Sequence, residues 1–162
     1  MPLDITIVRP LGRGGKGGID RVVDNEIATI DTGRIRISES VTRGSGSILL
    51  SPFHLVQSLA GIALRKARGK VALVHVNLSS HGSVSRKMPV MALCRALKIP
   101  YTIHLHGSRF RQYWDGLAPA ASARLSRAFE AAACVYVLGD VWRDYVHART
   151  PGARIEILFN GT

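Results

Sequence analysis

The chain is short of cysteine, of acidic residues and of uninterrupted apolar runs, and each shortage excludes a class of protein. Its 162 residues hold two cysteines, Cys94 and Cys134, without Cys-x-x-Cys spacing, which indicates buried reduced thiols rather than a disulfide framework. The longest apolar stretch, residues 48–64, is interrupted by serine, proline, histidine and glutamine, so we expect no membrane span. The first residues show no basic region followed by an apolar core, which argues against a secretory signal.

Acidic residues are outnumbered two to one. The 22 lysines and arginines exceed the 11 aspartates and glutamates, giving a formal net charge of +11 and a pI near 10.6. Such an excess favours polyanionic partners: nucleic acid, an anionic membrane surface or a phosphate-bearing ligand. A hydrophobic content of 46% excludes a disordered chain, and the length is that of one domain.

Apolar runs alternate with segments of helical periodicity along the whole chain. This alternation predicts βαβ units, hence an α/β fold: a Rossmann-like open, mainly parallel sheet with helices on both faces. The predicted strands are 4–9, 34–38, 71–77, one that begins at 101 and ends at His106, 134–138 and 154–158. The predicted helices are 19–29, 49–67, 84–97, 120–132 and 140–147.

A glycine-rich loop lies between the first strand and the first helix. Residues 12–17 fit the pattern Gly-x-Gly-x-x-Gly, and Glu39 follows at a distance suited to a ribose contact. Glycines in such a loop let backbone N–H groups approach a phosphate at a helix N-terminus. It is not a P-loop, because Gly17 follows Lys16. Five glycines within residues 12–18 also fit a flexible turn, so both interpretations stay open.

Two cations stand near the start of the third predicted helix. If Ser83 caps this helix, Arg86 and Lys87 fall in its first turn, where the helix dipole disfavours positive charge. An anion bound between them and the helix end would account for their placement. Two solvated side chains on a helix that begins later are the alternative.

Histidines alternate on two neighbouring strands. His104 and His106 share one face of their strand, as His75 and Asn77 do on the preceding one. His106 ends its strand directly before a glycine, where a substrate can reach it, and is the better functional candidate. His104 is expected to be a hydrogen-bonded core residue. We expect no metal site, because no carboxylate or thiolate is evident nearby.

Five segments of the chain carry a recognisable set of motifs: 17–21, 75–87, 104–107 with the aromatics of 110–114, 137–142 and 157–161. These segments closely resemble the bacterial family 4 glycosyltransferases, most of all those that build exopolysaccharide or lipopolysaccharide. The resemblance covers nearly the whole chain. Gly139 and Phe159 depart from it, standing where the family usually has serine and proline.

The resemblance implies two Rossmann-like domains facing a cleft, the GT-B architecture. Residues 1–158 would form the acceptor-side domain and residues 159–162 the start of an interdomain linker, with the donor-binding domain absent, so this chain alone is expected to be inactive. It also implies retaining transfer from a nucleotide-sugar, without a metal or other cofactor, to a lipid-linked saccharide in surface polysaccharide synthesis. The expected location is the cytoplasmic face of the plasma membrane, peripherally bound through anionic lipid.

The resemblance also implies roles for individual residues. His106 is the expected catalytic residue beside the transferred sugar, and the loop of Gly15, Lys16, Gly17 and Gly18 is expected to approach the donor diphosphate. Our own reading of the residues adds a set expected to contact the acceptor or an anion: Asn77, Ser83, Arg86, Lys87 and Arg109.

Two other classes of function remain open. A nicotinamide-dinucleotide-binding oxidoreductase domain would explain the glycine loop and Glu39, but neither residues 75–87 nor the net charge. A basic nucleic-acid-binding domain would explain the charge but shows no recognisable module, and we expect no nucleic-acid partner.

Overall fold

The computed structural model describes residues 2–31, 33–107 and 109–159, and these form a six-stranded sheet in the order β2-β1-β3-β4-β5-β6. Every neighbouring pair of strands is parallel. The strands are β1 Leu3–Arg9, β2 Ile35–Val41, β3 Leu73–Leu78, β4 Tyr101–Leu105, β5 Cys134–Val137 and β6 Ile155–Ile157. The helices are α1 Gly18–Thr29, α2 Ser51–Ala67, α3 Gly82–Ala96, α4 Phe110–Asp115, α5 Pro119–Glu130 and α6 Asp140–Arg149.

The strand order places the helices on opposite faces of the sheet. The connection from β1 to β2 runs one way across the sheet, whereas every later connection runs the other way. Because crossovers between parallel strands are right-handed, α1 covers one face, and α2, α3, α5 and α6 cover the other. The predicted α/β fold with helices on both faces is confirmed.

The core lies between the sheet and the larger helical layer. All five residues of β4 are buried, as expected for the centre of a parallel sheet. The aromatic segment after β4 differs from expectation, because it forms the short helix α4. This helix buries Phe110 and Trp114 against Phe129 of α5. Of the expected linker, residues 160–162 lie outside the described residues.

Residues 48–64 were expected not to provide a membrane span, because polar residues interrupt this apolar stretch. Helix α2 differs from that expectation. Together with a short 3₁₀ turn, Ile48–Leu50, it forms the one described segment, Ile48–Ala67, that is long and apolar enough to cross a membrane by length and composition. Its polar residues do not interrupt it. Ser58 is buried and hydrogen-bonded to Ser40 of β2, so this helix packs on the sheet through one side.

Candidate functional site

A pocket of about 410 Å³ opens at the carboxyl edge of the sheet, where ligands bind in open α/β folds. The loops after β1, β2 and β3 meet there with the first turns of α1 and α3. Four of the residues singled out from the sequence lie in its wall. The wall consists of Pro10, Leu11, Gly17, Gly18, Ile19, Asp20, Arg43, Ile48, Ser80, Gly82, Ser83 and Arg86.

The first half of the glycine loop is held by carboxylates of α1. The amides of Leu11 and Gly12 donate to Asp20 Oδ1 at 3.1 and 3.2 Å, and the amide of Gly14 donates to Asp24 Oδ2 at 3.0 Å. These N–H groups therefore have partners within the chain. The loop's backbone is fixed before any ligand arrives.

A buried arginine holds the same two carboxylates in place. Arg9 is fully buried, and its guanidinium contacts Asp20 at 3.0 Å, Asp24 at 2.7 Å and Glu39 at 3.1 Å. Burial alone would lower the pKa of Arg9, but hydrogen bonds to Asp24 and Asp20 outweigh it and raise that pKa. Glu39, the expected ribose ligand of a dinucleotide, is thus committed to an ion pair.

The second half of the loop presents the free end of α1 to the pocket. Gly17 is the N-cap residue and no side chain caps the helix, so the first-turn amides of Gly18 and Ile19 are available to an anion. Gly15 does not line the pocket. A Cβ there would lie 2.8 Å from Leu11 Cβ, which explains the glycine by close packing. Lys16 is exposed and also lies outside the wall.

Two arginines face each other across this pocket. The pKa of Arg86 is lowered by its partial burial and by the charge of Arg43. Among the described residues, the buried Nε of Arg86 has no hydrogen-bond partner. Two guanidinium groups and an uncapped helix end thus share a pocket wall in which the one carboxylate that the structure describes there, Asp20, is paired with Arg9, so an anion between the arginines would reduce their repulsion. Sequence reading missed Arg43, although a basic residue directly after β2 at the same sheet edge was a usable signal.

The start of α3 differs from the sequence expectation. The N-cap residue is His81, so Ser83 lies inside the first turn and does not cap the helix. Arg86 and Lys87 therefore fall in the second turn, where the dipole opposes them less. The Oγ of Ser83 accepts hydrogen bonds from the Ser79 amide at 3.0 Å and from Lys87 Nζ at 2.7 Å.

Lys87 is fully buried behind Ser83 and does not line the pocket. Burial, assisted by the charge of Arg86, lowers its pKa to about 7. It touches the pocket wall through its hydrogen bond to Ser83, and at neutral pH its amine is only partly charged. Arg109 is exposed at the start of α4 and also lies outside the pocket wall.

The side chains of His106 and Asn77 meet at the carboxyl edge, although β4 ends at Leu105 and His106 is the first residue after it, not the last of the strand as expected. The imidazole Nε2 lies 2.8 Å from Asn77 Oδ1, while the amide nitrogen of Asn77 donates to the carbonyl of Val8. This arrangement makes Nε2–H the donor and leaves the lone pair on Nδ1. Contrary to the expectation that a substrate can reach it, His106 is only 5% exposed, and neither it nor Asn77 belongs to the pocket wall. Burial lowers the pKa of His106 to about 3, so the ring is neutral at physiological pH.

His81 carries backbone strain at the tip of the β3–α3 loop. Its φ of 51° with ψ of −119° is a conformation that side chains rarely adopt. Its exposed ring lies 4.9 Å from that of Tyr113. Strained residues of this kind cluster at binding sites, and sequence reading did not identify this one.

A second cluster on the α1 face brings together Glu26, His75 and His104. Their ligand atoms lie within 4.8 Å of one another, a looser grouping than the separation of about 3.3 Å expected between ligands of a tetrahedral zinc ion. The expectation that no carboxylate is nearby was wrong, since Glu26 lies 3.5 Å from His104 Nδ1. Neither ring nitrogen of His104 has a hydrogen-bond partner among the described residues, so its expected hydrogen bond was wrong as well.

Comparison with known proteins was made by family model and by whole sequence. Residues 8–161 match the model of a glycosyl transferase 4-like domain. A search of curated proteins gives no match. The matched range includes every part of the pocket and both members of the His106–Asn77 pair.

Proposed function

The chain belongs to the glycosyl transferase 4-like family, and from this premise we propose that it is the acceptor-side domain of a retaining glycosyltransferase. The reaction moves a sugar from a nucleotide-sugar to a lipid-linked saccharide in bacterial surface polysaccharide synthesis. The domain works at the cytoplasmic face of the plasma membrane, bound peripherally to anionic lipid. It needs neither a metal nor another cofactor, and nucleic acid is not its partner.

One observation supports this proposal: an uncapped helix end and two arginines meet in the pocket at the carboxyl edge, and together they suit a diphosphate. The uncapped end of α1 supplies N–H donors at Gly18 and Ile19, and Arg43 and Arg86 supply charge from the facing loops. Both the nucleotide-sugar donor and a polyprenyl-linked acceptor carry that group. Phosphate oxygens would satisfy the helix end and relieve the repulsion between the two arginines.

His106 acts in this proposal as a neutral hydrogen-bonding group near the transferred sugar. An imidazole whose pKa lies near 3 cannot serve as a general acid at neutral pH. Its bond to Asn77 fixes the tautomer and orients the ring. Asn77 is thereby a positioning residue for His106.

The test is calorimetric titration of the 162-residue chain with three probes: uridine diphosphate, inorganic pyrophosphate and farnesyl diphosphate. We expect saturable binding that Arg86→Ala and Arg43→Ala each weaken by about tenfold, since a hydrogen bond to a charged group contributes about 1.5–3 kcal/mol. Arg124→Ala, which removes an exposed arginine of α5 away from the pocket, is the matched control and should bind normally.

The pattern across probes separates the possible sources of the diphosphate. Preference for uridine diphosphate assigns the pocket to the donor, and preference for farnesyl diphosphate assigns it to the lipid-linked acceptor. Absence of binding by all three, or equal binding by the Arg43 and Arg86 variants, contradicts the proposed site. Tighter binding of NAD or of an oligonucleotide than of any diphosphate would favour one of the two rival classes.

A further inference from the structure

Helix α2 and the turn before it carry a continuous apolar stripe on their outer side. Leu49, Phe53 and Val56 are 84%, 65% and 64% exposed, and Ala60 and Leu64 continue the same line. Spacings of three and four residues place all five on one side of a helix. The stripe therefore faces outward over the full length of α2.

The inner side of the same helix is also apolar. Ile62 is fully buried in the core, and Leu55 and Leu59 pack against it. Only 17% of the most apolar part of Ile48–Ala67 is buried. A helix on the surface of a water-soluble domain normally has charged and polar residues on its outer side, as α6 has in Arg143 and Asp144.

The excess positive charge of the chain lies in the segment that contains this stripe. Residues 40–114 contain 11 lysines and arginines and not one aspartate or glutamate, while the remaining residues are balanced at 11 of each sign. The entire net charge of +11 thus belongs to the part of the chain that runs from the end of β2 through α2 and α3 to α4. Exposed Lys66, Arg68 and Lys70 stand at the C-terminal end of α2.

We propose that the stripe inserts into the interface of an anionic lipid bilayer, with the surrounding cations at the headgroups. An apolar side next to basic residues is the pattern of helices that lie in a membrane surface. A second copy of the chain fits the stripe less well, because pairing would bring two acid-free segments together. Binding therefore has an apolar part in addition to the electrostatic attraction expected from the sequence.

Insertion would also place the diphosphate pocket at the bilayer surface. Ile48, one residue before the stripe and 62% exposed, belongs to the pocket wall together with Arg43 and Arg86. A diphosphate attached to a lipid would then meet the pocket at headgroup depth. This last step rests on the proposed diphosphate site, and insertion itself assigns a surface to the peripheral membrane binding in the proposed function.

The experiment is flotation of the 162-residue chain with vesicles of equal parts phosphatidylglycerol and phosphatidylcholine, and with vesicles of phosphatidylcholine alone. We expect binding to the anionic vesicles, weakened at least tenfold by combining Leu49→Ser, Phe53→Ser and Val56→Ser. The control is Val141→Ser, which changes a 73% exposed apolar residue of α6 and should leave binding unchanged. Phe53→Trp should show a blue-shifted emission that brominated lipid quenches.

Several results would overturn the inference. They are unchanged vesicle binding by the triple variant, an equal loss in the Val141 control, or unquenched emission from Phe53→Trp. Concentration-dependent dimerisation that the triple variant abolishes, without vesicle binding, would assign the stripe to a second copy. In solution, the triple variant should bind uridine diphosphate as the wild type does, which keeps a failure of insertion distinct from a failure of the proposed diphosphate site.

Discussion

Replacing Lys87 by methionine tests whether burial beside the pocket lowers the pKa of this lysine. Lys87 is 0% exposed, and its one recorded hydrogen bond among the described residues joins Nζ to Ser83 Oγ. Burial brings its pKa from 10.5 to about 7. Between these values the unfolded chain binds more protons than the folded one, so stability rises with pH through that window and is lowest below pH 7.

The magnitude follows from the size of this shift. At 1.36 kcal/mol per pKa unit, a fall from 10.5 to about 7 lowers the free energy of unfolding below pH 7 by about 5 kcal/mol relative to its value at high pH. Between pH 7.5 and pH 9.5, this effect raises the free energy of unfolding by about 2.5 kcal/mol. Lys87→Met removes this gain. Loss of the hydrogen bond to Ser83 changes the free energy of unfolding by a similar amount at both pH values, so it does not alter the dependence on pH.

The assay is urea unfolding of the wild type and the variant at both pH values. The stability of the wild type relative to Lys87→Met should rise by about 2.5 kcal/mol from the lower pH to the higher. Lys66→Met, at an exposed lysine of α2, should run parallel to the wild type and serves as the control. Parallel curves for Lys87→Met and the wild type would refute a depressed pKa for Lys87.

Two further predictions concern the glycine loop and the strand-end histidine. Gly15→Ala should destabilise the fold by about 1–3 kcal/mol in thermal unfolding, because its Cβ would lie 2.9 Å from Asp20 Cβ. Gly18→Ala, with open space at its Cβ, should be tolerated, and equal effects at both positions would contradict this account of the loop. In the two-domain glycosyltransferase proposed above, His106→Ala should lower sugar-transfer turnover at least about tenfold, from the loss of a contact of about 1–3 kcal/mol, with the circular dichroism spectrum unchanged. Full activity of His106→Ala would show that this histidine has no role in sugar transfer.

Regular elements were predictable from the sequence because their signals are local. Six apolar runs separated by helical periodicity led directly to a parallel sheet, and the confirmed strands include all six. Helix α4 was missed because its six residues are too few to show a period, and two of its aromatics are buried.

The site was only partly predictable, because its contacts join distant segments. Gly17, Gly18, Ser83 and Arg86 do line one pocket, and whether they bind an anion stays a prediction. No local sequence signal shows that the carboxylates of Asp20 and Asp24 accept hydrogen bonds from the loop amides. The burial of Lys87 was equally unpredictable, since lysine is almost never fully buried. The position of Arg43 depends on how the β2–α2 loop folds back over the sheet edge.

The central claim is that the uncapped end of α1, with Arg43 and Arg86, binds a diphosphate. Amide chemical shifts of the ¹⁵N-labelled chain during titration with uridine diphosphate test it most directly. The account predicts shifts at Gly17, Gly18 and Ile19, and much smaller ones at Leu11, Gly12 and Gly14, whose N–H groups already donate to carboxylates. Shifts confined to the second set, or located outside the pocket altogether, would contradict the claim.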